Sequence, residues 1–271
     1  MTPDLPALVA PVREIARQAA REILTFYRQS YRISDKADAT PVTEADLAAH
    51  HRILAGLSRL TPAIPILSEE SAHIPFQERQ TWEWLWLVDP LDGTRQFIRH
   101  NDEFSINIAL IHRHRAVLGL ILMPVGELSY FAWQRGGAWR QACGQSPQPI
   151  QTRSVGRRAV QVVGSRTYRS RFLEDYLTRL GQHVYSGVGS ALKSCLVAEG
   201  RADLYPRFGP TSEWDTAAAQ ILLEEAGGGL TDLTLKPLKY NARPTLLNPD
   251  FFAFGDPTRD WHRYLHRPNN T

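Results

Sequence analysis

Two carboxylates three residues apart, Asp89 and Asp92, stand in Asp89-Pro90-Leu91-Asp92-Gly93-Thr94, directly behind the apolar run Trp84-Leu85-Trp86-Leu87-Val88. Carboxylates at the end of a buried strand can converge on a hard cation, and the Leu91 carbonyl between them is another oxygen ligand of the kind Mg²⁺ takes. Gly93 and Thr94 begin a helical turn whose N–H groups would point at an anion, ideally phosphate. Glu69 and Glu70 follow the apolar run that ends at Leu67, and Asp215 opens Trp214-Asp215-Thr216-Ala217-Ala218-Ala219. Taken singly, each has an ordinary reading: Asp215 as a helix N-cap, Asp92 as a turn residue before glycine, Glu69 and Glu70 as a solvated loop. Taken together, carboxylates that hold metal beside amides that hold phosphate are the parts of a metal-dependent phosphoryl-transfer site.

Electrostatics supports the metal. With Glu69, Asp89, Asp92 and Asp215 facing one cleft, two carboxylates ~5 Å apart repel by roughly 3 kcal/mol at an effective dielectric of about 20. Two Mg²⁺ ions cancel the four charges, and a phosphate dianion can recruit a third. Substrate binding would then depend on the metal.

The elements that must position these groups are legible from hydrophobic spacing. Leu8, Val12, Ile15, Ala19, Ile23 and Phe26 form one helical stripe, and a second helix is expected over 44–60 with Leu47, Ile53, Leu54 and Leu57 inward. Residues 34–43 read as an ordered polar loop before that helix. Strands are expected at 64–67, at 84–88 halted by Asp89-Pro90, at 105–111, and as a hairpin-rich section from 116–122 to 128–133. Residues 141–158, rich in Gln, Pro, Ser and Arg, read as a domain boundary or long surface connection. Beyond it come a strand at 160–164 and helices at 169–180, 191–199 and 213–226, the last closed by Gly227-Gly228-Gly229. The fold class is therefore α/β with an α+β N-terminal part: residues 1–150 form an α+β subdomain and residues 151–271 an α/β subdomain that carries Asp215.

Composition bounds the rest. The 271 residues are 43% hydrophobic and 22% charged, which excludes disorder and a fibrous repeat. A net charge of +3 is too slight for a nucleic-acid binder. Of the basic residues only four are lysines (Lys36, Lys193, Lys236 and Lys239), so a lysine inside a motif stands out. Cys143 and Cys195 lack metal-ligand or CxxC spacing and read as reduced thiols. With no bilayer-length apolar run and no signal-peptide pattern, the expectation is a cytoplasmic protein, with at most peripheral attachment to the cytoplasmic face of the inner membrane.

The blocks Ser68-Glu69-Glu70, Asp89-Pro90-Leu91-Asp92-Gly93-Thr94 and Glu213-Trp214-Asp215-Thr216-Ala217-Ala218 through Glu225-Ala226-Gly227-Gly228 resemble the inositol monophosphatase superfamily of Mg²⁺-dependent, lithium-sensitive phosphatases. The match runs in order over roughly residues 8–250. Further segments resemble the branch of CysQ-type 3'(2'),5'-bisphosphate nucleotidases: residues 36–46, Leu67-Ser68-Glu69-Glu70, Gly189-Ser190-Ala191-Leu192-Lys193, Leu196-Val197-Ala198-Glu199-Gly200, and residues 204–211 ahead of Glu213. The resemblance implies a layered αβαβα sandwich. It also implies hydrolysis of adenosine 3',5'-bisphosphate to AMP and phosphate, recycling a by-product of sulfate transfer, with 3'-phosphoadenylyl sulfate as a further candidate. The alternative is an inositol or sugar monophosphatase of the same superfamily. Ala219 departs from the glycine of many relatives. Ser68 departs from the glycine usual in inositol phosphatases and again points to the nucleotidase branch.

Carried over by that resemblance, Glu69, Asp89 and the Leu91 carbonyl would hold the first Mg²⁺, and Asp89, Asp92 and Asp215 the second. Gly93 and Thr94 amides would bind phosphate oxygens. The Thr94 hydroxyl and Asp46 would take the proton of the attacking water, with Glu69 a further catalytic candidate. Asp46 by itself reads as a first-turn helix carboxylate. Ser190 and Lys193, one turn apart after Gly189, are candidates for the second phosphate, although Ser190 is also an ordinary N-cap. Ser165 and Arg166 are weaker candidates for that role. Lys36 could balance charge near the metals. The histidines show no ligand spacing, and the partner expected is a small nucleotide.

Overall fold

Leu8, Val12, Ala16, Ala19 and Ile23, at three- and four-residue steps, are buried along one face of α1 (Leu5–Tyr27). The helix α2 (Glu44–Leu60) buries Ala45, Ala49, Ile53 and Leu57, each four residues on. Leu47 faces outward at 43% exposure, against expectation, because it lies two residues, about half a turn, off that stripe. The protein is described here by a computed structural model over residues 2–29, 33–35, 41–166 and 169–265. Ahead of α2, β1 (Ile33–Asp35) and β2 (Pro41–Thr43) pair antiparallel. Lys36 and Asp38 lie outside the described residues.

Both long helices cover one face of a seven-stranded sheet: β3 (Ile66–Ser68), β4 (Trp84–Asp92), β5 (Ser105–His112), β6 (Arg115–Met123), β7 (Leu128–Trp133), β8 (Ala138–Gln141) and β9 (Gln148–Ile150). Strand order follows the chain, parallel at β3–β4 and antiparallel elsewhere. The expected halt at Asp89-Pro90 is not observed. β4 continues to Asp92 through a register shift between the pairs Asp89–Asn107 and Asp92–Ser105. A bulge tolerates a proline that has no N–H to donate. Likewise, residues 141–158 are not all connection, since β9 adds an edge strand there.

Between β3 and β5 lie a 3₁₀ turn (Glu69–Ser71), α3 (Phe76–Arg79) and α4 (Thr94–Ile98). A second sheet combines β10 (Val160–Gly164), β11 (His183–Gly187), β12 (Leu204–Arg207), β13 (Gly229–Asp232) and β14 (Phe251–Phe254) in the order β11-β10-β12-β14-β13. The helix α5 (Arg171–Leu180) buries Leu173, Tyr176 and Leu177 against Val160, Val162 and Phe252 on the outer face of this sheet. Sandwiched between the sheets are α6 (Leu192–Ala198) and α7 (Glu213–Glu225). The layers are thus α1 and α2, large sheet, α6 and α7, small sheet, α5: an αβαβα sandwich.

α7 buries residues 216–223 without interruption, as a helix covered on both sides must. Its small first turns let it press onto β6. A Cβ at Gly119 would lie 2.6 Å from the Ala218 carbonyl, so glycine is required for that approach. Ala219 is buried in the same layer.

Candidate active site

The β4 bulge turns the end of a buried strand into a reactive loop. Asp89 is only 2% exposed and its Oδ1 accepts the Leu91 N–H at 3.0 Å. Asp92 faces the other way along β5, close to the Ser105 hydroxyl (3.5 Å) and the Asn107 amide (3.4 Å), and it accepts the Ala191 N–H. Gly93 then adopts φ +92°, a left-handed conformation that glycine enters freely. A side chain there would also crowd the Glu103 carbonyl (3.2 Å) and Ser190 (3.4 Å). From that turn α4 starts, and its first-turn amides, at Thr94 and Arg95, precede any acceptor of their own helix.

Asp46 meets this loop from α2. Its Oδ2 accepts both the Thr43 N–H (2.7 Å) and the Thr43 hydroxyl (2.6 Å), closing a capping box. Oδ1 is the acceptor of the Thr94 hydroxyl at 3.1 Å. That hydroxyl also lies 3.4 Å from the Leu91 carbonyl, a longer alternative acceptor. Burial raises the Asp46 carboxyl to about 6, against the opposing hydrogen bonds from Thr43 and Thr94. The structural reading and the chemical reading of Asp46 therefore use different oxygens of one carboxylate.

The remaining acids face the same loop from three directions. Asp89 sits on β4, Glu69 begins the 3₁₀ turn after β3, and Asp215 lies in the first turn of α7, where its Oδ2 accepts the Ser212 N–H at 2.9 Å. Burial, and then Glu69, Asp92 and Asp215, push the Asp89 carboxyl well above the carboxylate range. Burial, followed by Asp92, pushes Asp215 up to about 8. Asp92 is raised by burial as well, opposed first by the Lys193 ammonium. Among the described residues no three such side chains are drawn into a closed ligand cluster. Their charges oppose one another's ionisation. A set of hard oxygen donors that mutually oppose ionisation, with one lysine to offset them, fits a divalent cation on chemical grounds.

Asp92, Gly93 and Asp215 also line a pocket of about 200 Å³, together with Ser190, Lys193 and Arg207. Ser190 does not cap α6. It adopts φ +46°, Ala191 takes the cap position without a side-chain bond, and the Ser190 hydroxyl accepts the Leu192 N–H at 3.4 Å. The tight turn after Gly189 forces that geometry, and it leaves the Ser190 side chain on the pocket wall. Lys193 is held by the Ser190 carbonyl at 2.6 Å and lies 5.3 Å from the Tyr205 ring centre. Burial lowers its pKa while Asp92 raises it. Glu103 ties the wall together, accepting the Gly189 N–H at 2.9 Å and pairing with Arg166. Ser165 lines the pocket, whereas Arg166 is engaged by Glu103.

Tyr205, Arg207 and Gln96 line the pocket too; the first two lie in the 204–211 segment that carries the resemblance but were given no role, and nothing in the sequence singled out Gln96. Arg207 is hidden among 27 arginines, and its only local signal is its place just ahead of the Asp215 helix. His50 donates to or accepts from Ser68 at 2.9 Å and is buried, a core histidine rather than a ligand.

The profile of the inositol monophosphatase family matches residues 6–265. The 3'(2'),5'-bisphosphate nucleotidase CysQ of Salmonella typhimurium is 46% identical over 246 residues, which cover 90% of this chain and 98% of that protein. The protein of the same name from Aggregatibacter actinomycetemcomitans is 42% identical over 96% of this chain and 97% of its own length. Among solved structures, CysQ from Bacteroides thetaiotaomicron superposes with a TM-score of 0.80 at 34% identity, covering 92% of this chain and 97% of that one. The extragenic suppressor protein suhB from Bartonella henselae gives 0.79 at 26% identity, over 95% and 98%.

Proposed function

This chain belongs to the inositol monophosphatase family, and from that premise we propose that it is a Mg²⁺-dependent 3'(2'),5'-bisphosphate nucleotidase. The substrate is adenosine 3',5'-bisphosphate, cleaved with one water to AMP and inorganic phosphate, with 3'-phosphoadenylyl sulfate a second candidate. Its role would be to recycle the nucleotide by-product of sulfate transfer. The relatives named for this activity at 46% and 42% identity over most of both chains support the substrate class. One observation carries the chemistry: a single pocket is lined both by acids, Asp92 and Asp215, and by cations, Lys193 and Arg207. A bisphosphate needs both, one phosphate on the metal-holding acids and one on the cations.

Glu69, Asp89 and the Leu91 carbonyl would hold one Mg²⁺, and Asp89, Asp92 and Asp215 another. Ions bound there supply charge neutralisation, an activated water and leaving-oxygen stabilisation. The chain supplies the rest. The amides of Gly93, ahead of α4, and of Thr94, its first residue, hold phosphate oxygens, and the Thr94 hydroxyl orients the attacking water while passing its proton toward Asp46 Oδ1. A carboxylate tuned to about 6 is well placed to accept a proton near neutral pH. Ser190 and Lys193 hold the phosphate that is not cleaved. No helix among the described residues is long and apolar enough to cross a membrane.

Phosphate release from adenosine 3',5'-bisphosphate, 3'-phosphoadenylyl sulfate, inositol monophosphate and fructose bisphosphate, with Mg²⁺ and with EDTA, tests both halves. The bisphosphate should turn over fastest, only with Mg²⁺. Undiminished turnover in chelator would end the metal reading. Equal efficiency on inositol monophosphate would end the nucleotidase assignment and leave the mechanism.

A further inference from the structure

The acids of the site come from two bodies of the fold, the large sheet and α7, and something must fix their spacing before any ion arrives. Residues 240–248 form a strap that grips both. On the sheet side, Arg79 ends the short helix α3, ten residues beyond Glu69 in the segment that returns to β4. Its guanidinium is buried at 2% exposure and donates to Asn241 Oδ1 (2.7 Å) and to the Arg243 (3.2 Å) and Pro244 (2.5 Å) carbonyls. The Asn241 side chain returns a bond to the Arg79 carbonyl at 2.6 Å. Asn241 itself adopts φ +54°, a left-handed conformation that asparagine tolerates better than most side chains.

On the helix side, the same strap clamps the turn that presents Asp215. Glu213, with no exposed surface, accepts the Asn241 N–H at 2.6 Å, while its own N–H donates to the Leu246 carbonyl at 2.8 Å. The Asn248 amide donates to the Ser212 carbonyl (2.6 Å) and the Thr216 hydroxyl (3.0 Å). Thus residues 212, 213 and 216, on either side of Asp215, are all held by one segment, and that segment is held by Arg79. A buried glutamate and arginine are costly, and each retains a buried atom without a hydrogen-bond partner, Glu213 Oε1 and Arg79 Nε. Such groups are kept where geometry matters more than stability.

We propose that Arg79, Asn241, Glu213 and Asn248 are positioning residues that set the spacing between Asp215 and the acids of the large sheet, and so set divalent-cation affinity. None of the four reaches the pocket itself. The inference rests on the Mg²⁺ reading of the site.

Calorimetric titration of Mg²⁺ into the nucleotide-free protein reads it directly. Asn248→Ala and Glu213→Gln should each weaken Mg²⁺ binding about tenfold, the lower end of what loss of a ligand's supporting partner costs. At saturating Mg²⁺ the Michaelis constant for the bisphosphate should change little, and Arg79→Lys should bind more tightly than Arg79→Met. Leu177→Ala, in the separate core beneath α5, serves as the comparator: it should lower the melting temperature without moving Mg²⁺ affinity. If the strap variants lose only thermal stability and titrate like wild type, the strap is merely structural and the inference falls. If wild type itself takes up no Mg²⁺, the fault lies in the functional reading instead. Should Arg79→Met fail to fold, Glu213→Gln and Asn248→Ala still decide.

Discussion

Asp46 carries two loads on one carboxylate, and the distribution between its oxygens makes them separable. Oδ2 takes both bonds of the α2 capping box, whereas Oδ1 takes the Thr94 hydroxyl. Replacing Asp46 by Asn keeps an oxygen to cap the helix but removes the base. Turnover should then fall on the order of 10²–10⁴-fold, the usual worth of positioned base help. Mg²⁺ affinity should hardly change, since no ligand is lost. Asp89→Asn is the counterpart: it removes the carboxylate expected to bridge both ions, so calorimetry should show Mg²⁺ binding and turnover falling together. Loss of Mg²⁺ binding in Asp46→Asn as severe as in Asp89→Asn would make Asp46 a ligand. Full turnover would reduce it to a cap.

Elements succeed or fail as positioning devices by how closely they approach, and α7 sits tight against the large sheet. Its seat on β6 has no space for one methyl group at Gly119, where a Cβ would sit 2.6 Å from both the Ala218 carbonyl and an Ile221 methyl. Gly119→Ala should therefore cost roughly 1–3 kcal/mol as overpacking, read by urea unfolding, and should weaken Mg²⁺ binding because Asp215 rides on α7. Unchanged stability would mean that α7 shifts without strain. The long elements were legible beforehand: α1 and α2 carry apolar stripes, α7 a continuous run of small and apolar residues closed by glycines, and β5 to β7 carry long apolar runs bounded by turns. The acidic residues were legible too, because Asp89-Pro90-Leu91-Asp92 is costly behind a buried strand. Three things were not. Periodicity is blind to a bulge, so β4 seemed to stop four residues early. Local capping preference favoured Ser190 as an N-cap, while tertiary contact with Gly93 and Glu103 decided its left-handed turn. And the Arg79–Asn241 contact joins positions 162 residues apart, a distance at which no spacing pattern survives.

At the scale of the whole molecule the site is a store of electrostatic strain, and its sign follows from the direction of the shifts. Burial raises the Asp89, Asp92 and Asp215 carboxyls above an ordinary 3.8, Asp215 to about 8. A carboxyl raised in the folded state binds its proton more tightly there than in the unfolded chain. The stability it contributes is fully present below pH ~4 and is lost as pH rises through the folded-state value. Without a divalent cation, the site should thus weaken the fold progressively between about pH 4 and pH 8, even as other groups settle into their favourable states. A bound ion reverses the sign, because it favours the ionised acids and, at a hundred times its dissociation constant, adds about 2.7 kcal/mol. Melting temperatures measured from pH 5.5 to 8 with EDTA and with saturating Mg²⁺ should diverge upward in pH, the gap being larger at pH 8. Asp89→Asn, which removes the most buried of the three charges, should flatten the EDTA curve and shrink the gap. A gap of the same size at both ends of the range, with Asp89→Asn tracking wild type in EDTA, would show that the three acids titrate as ordinary surface carboxylates and that no strain is stored in the site.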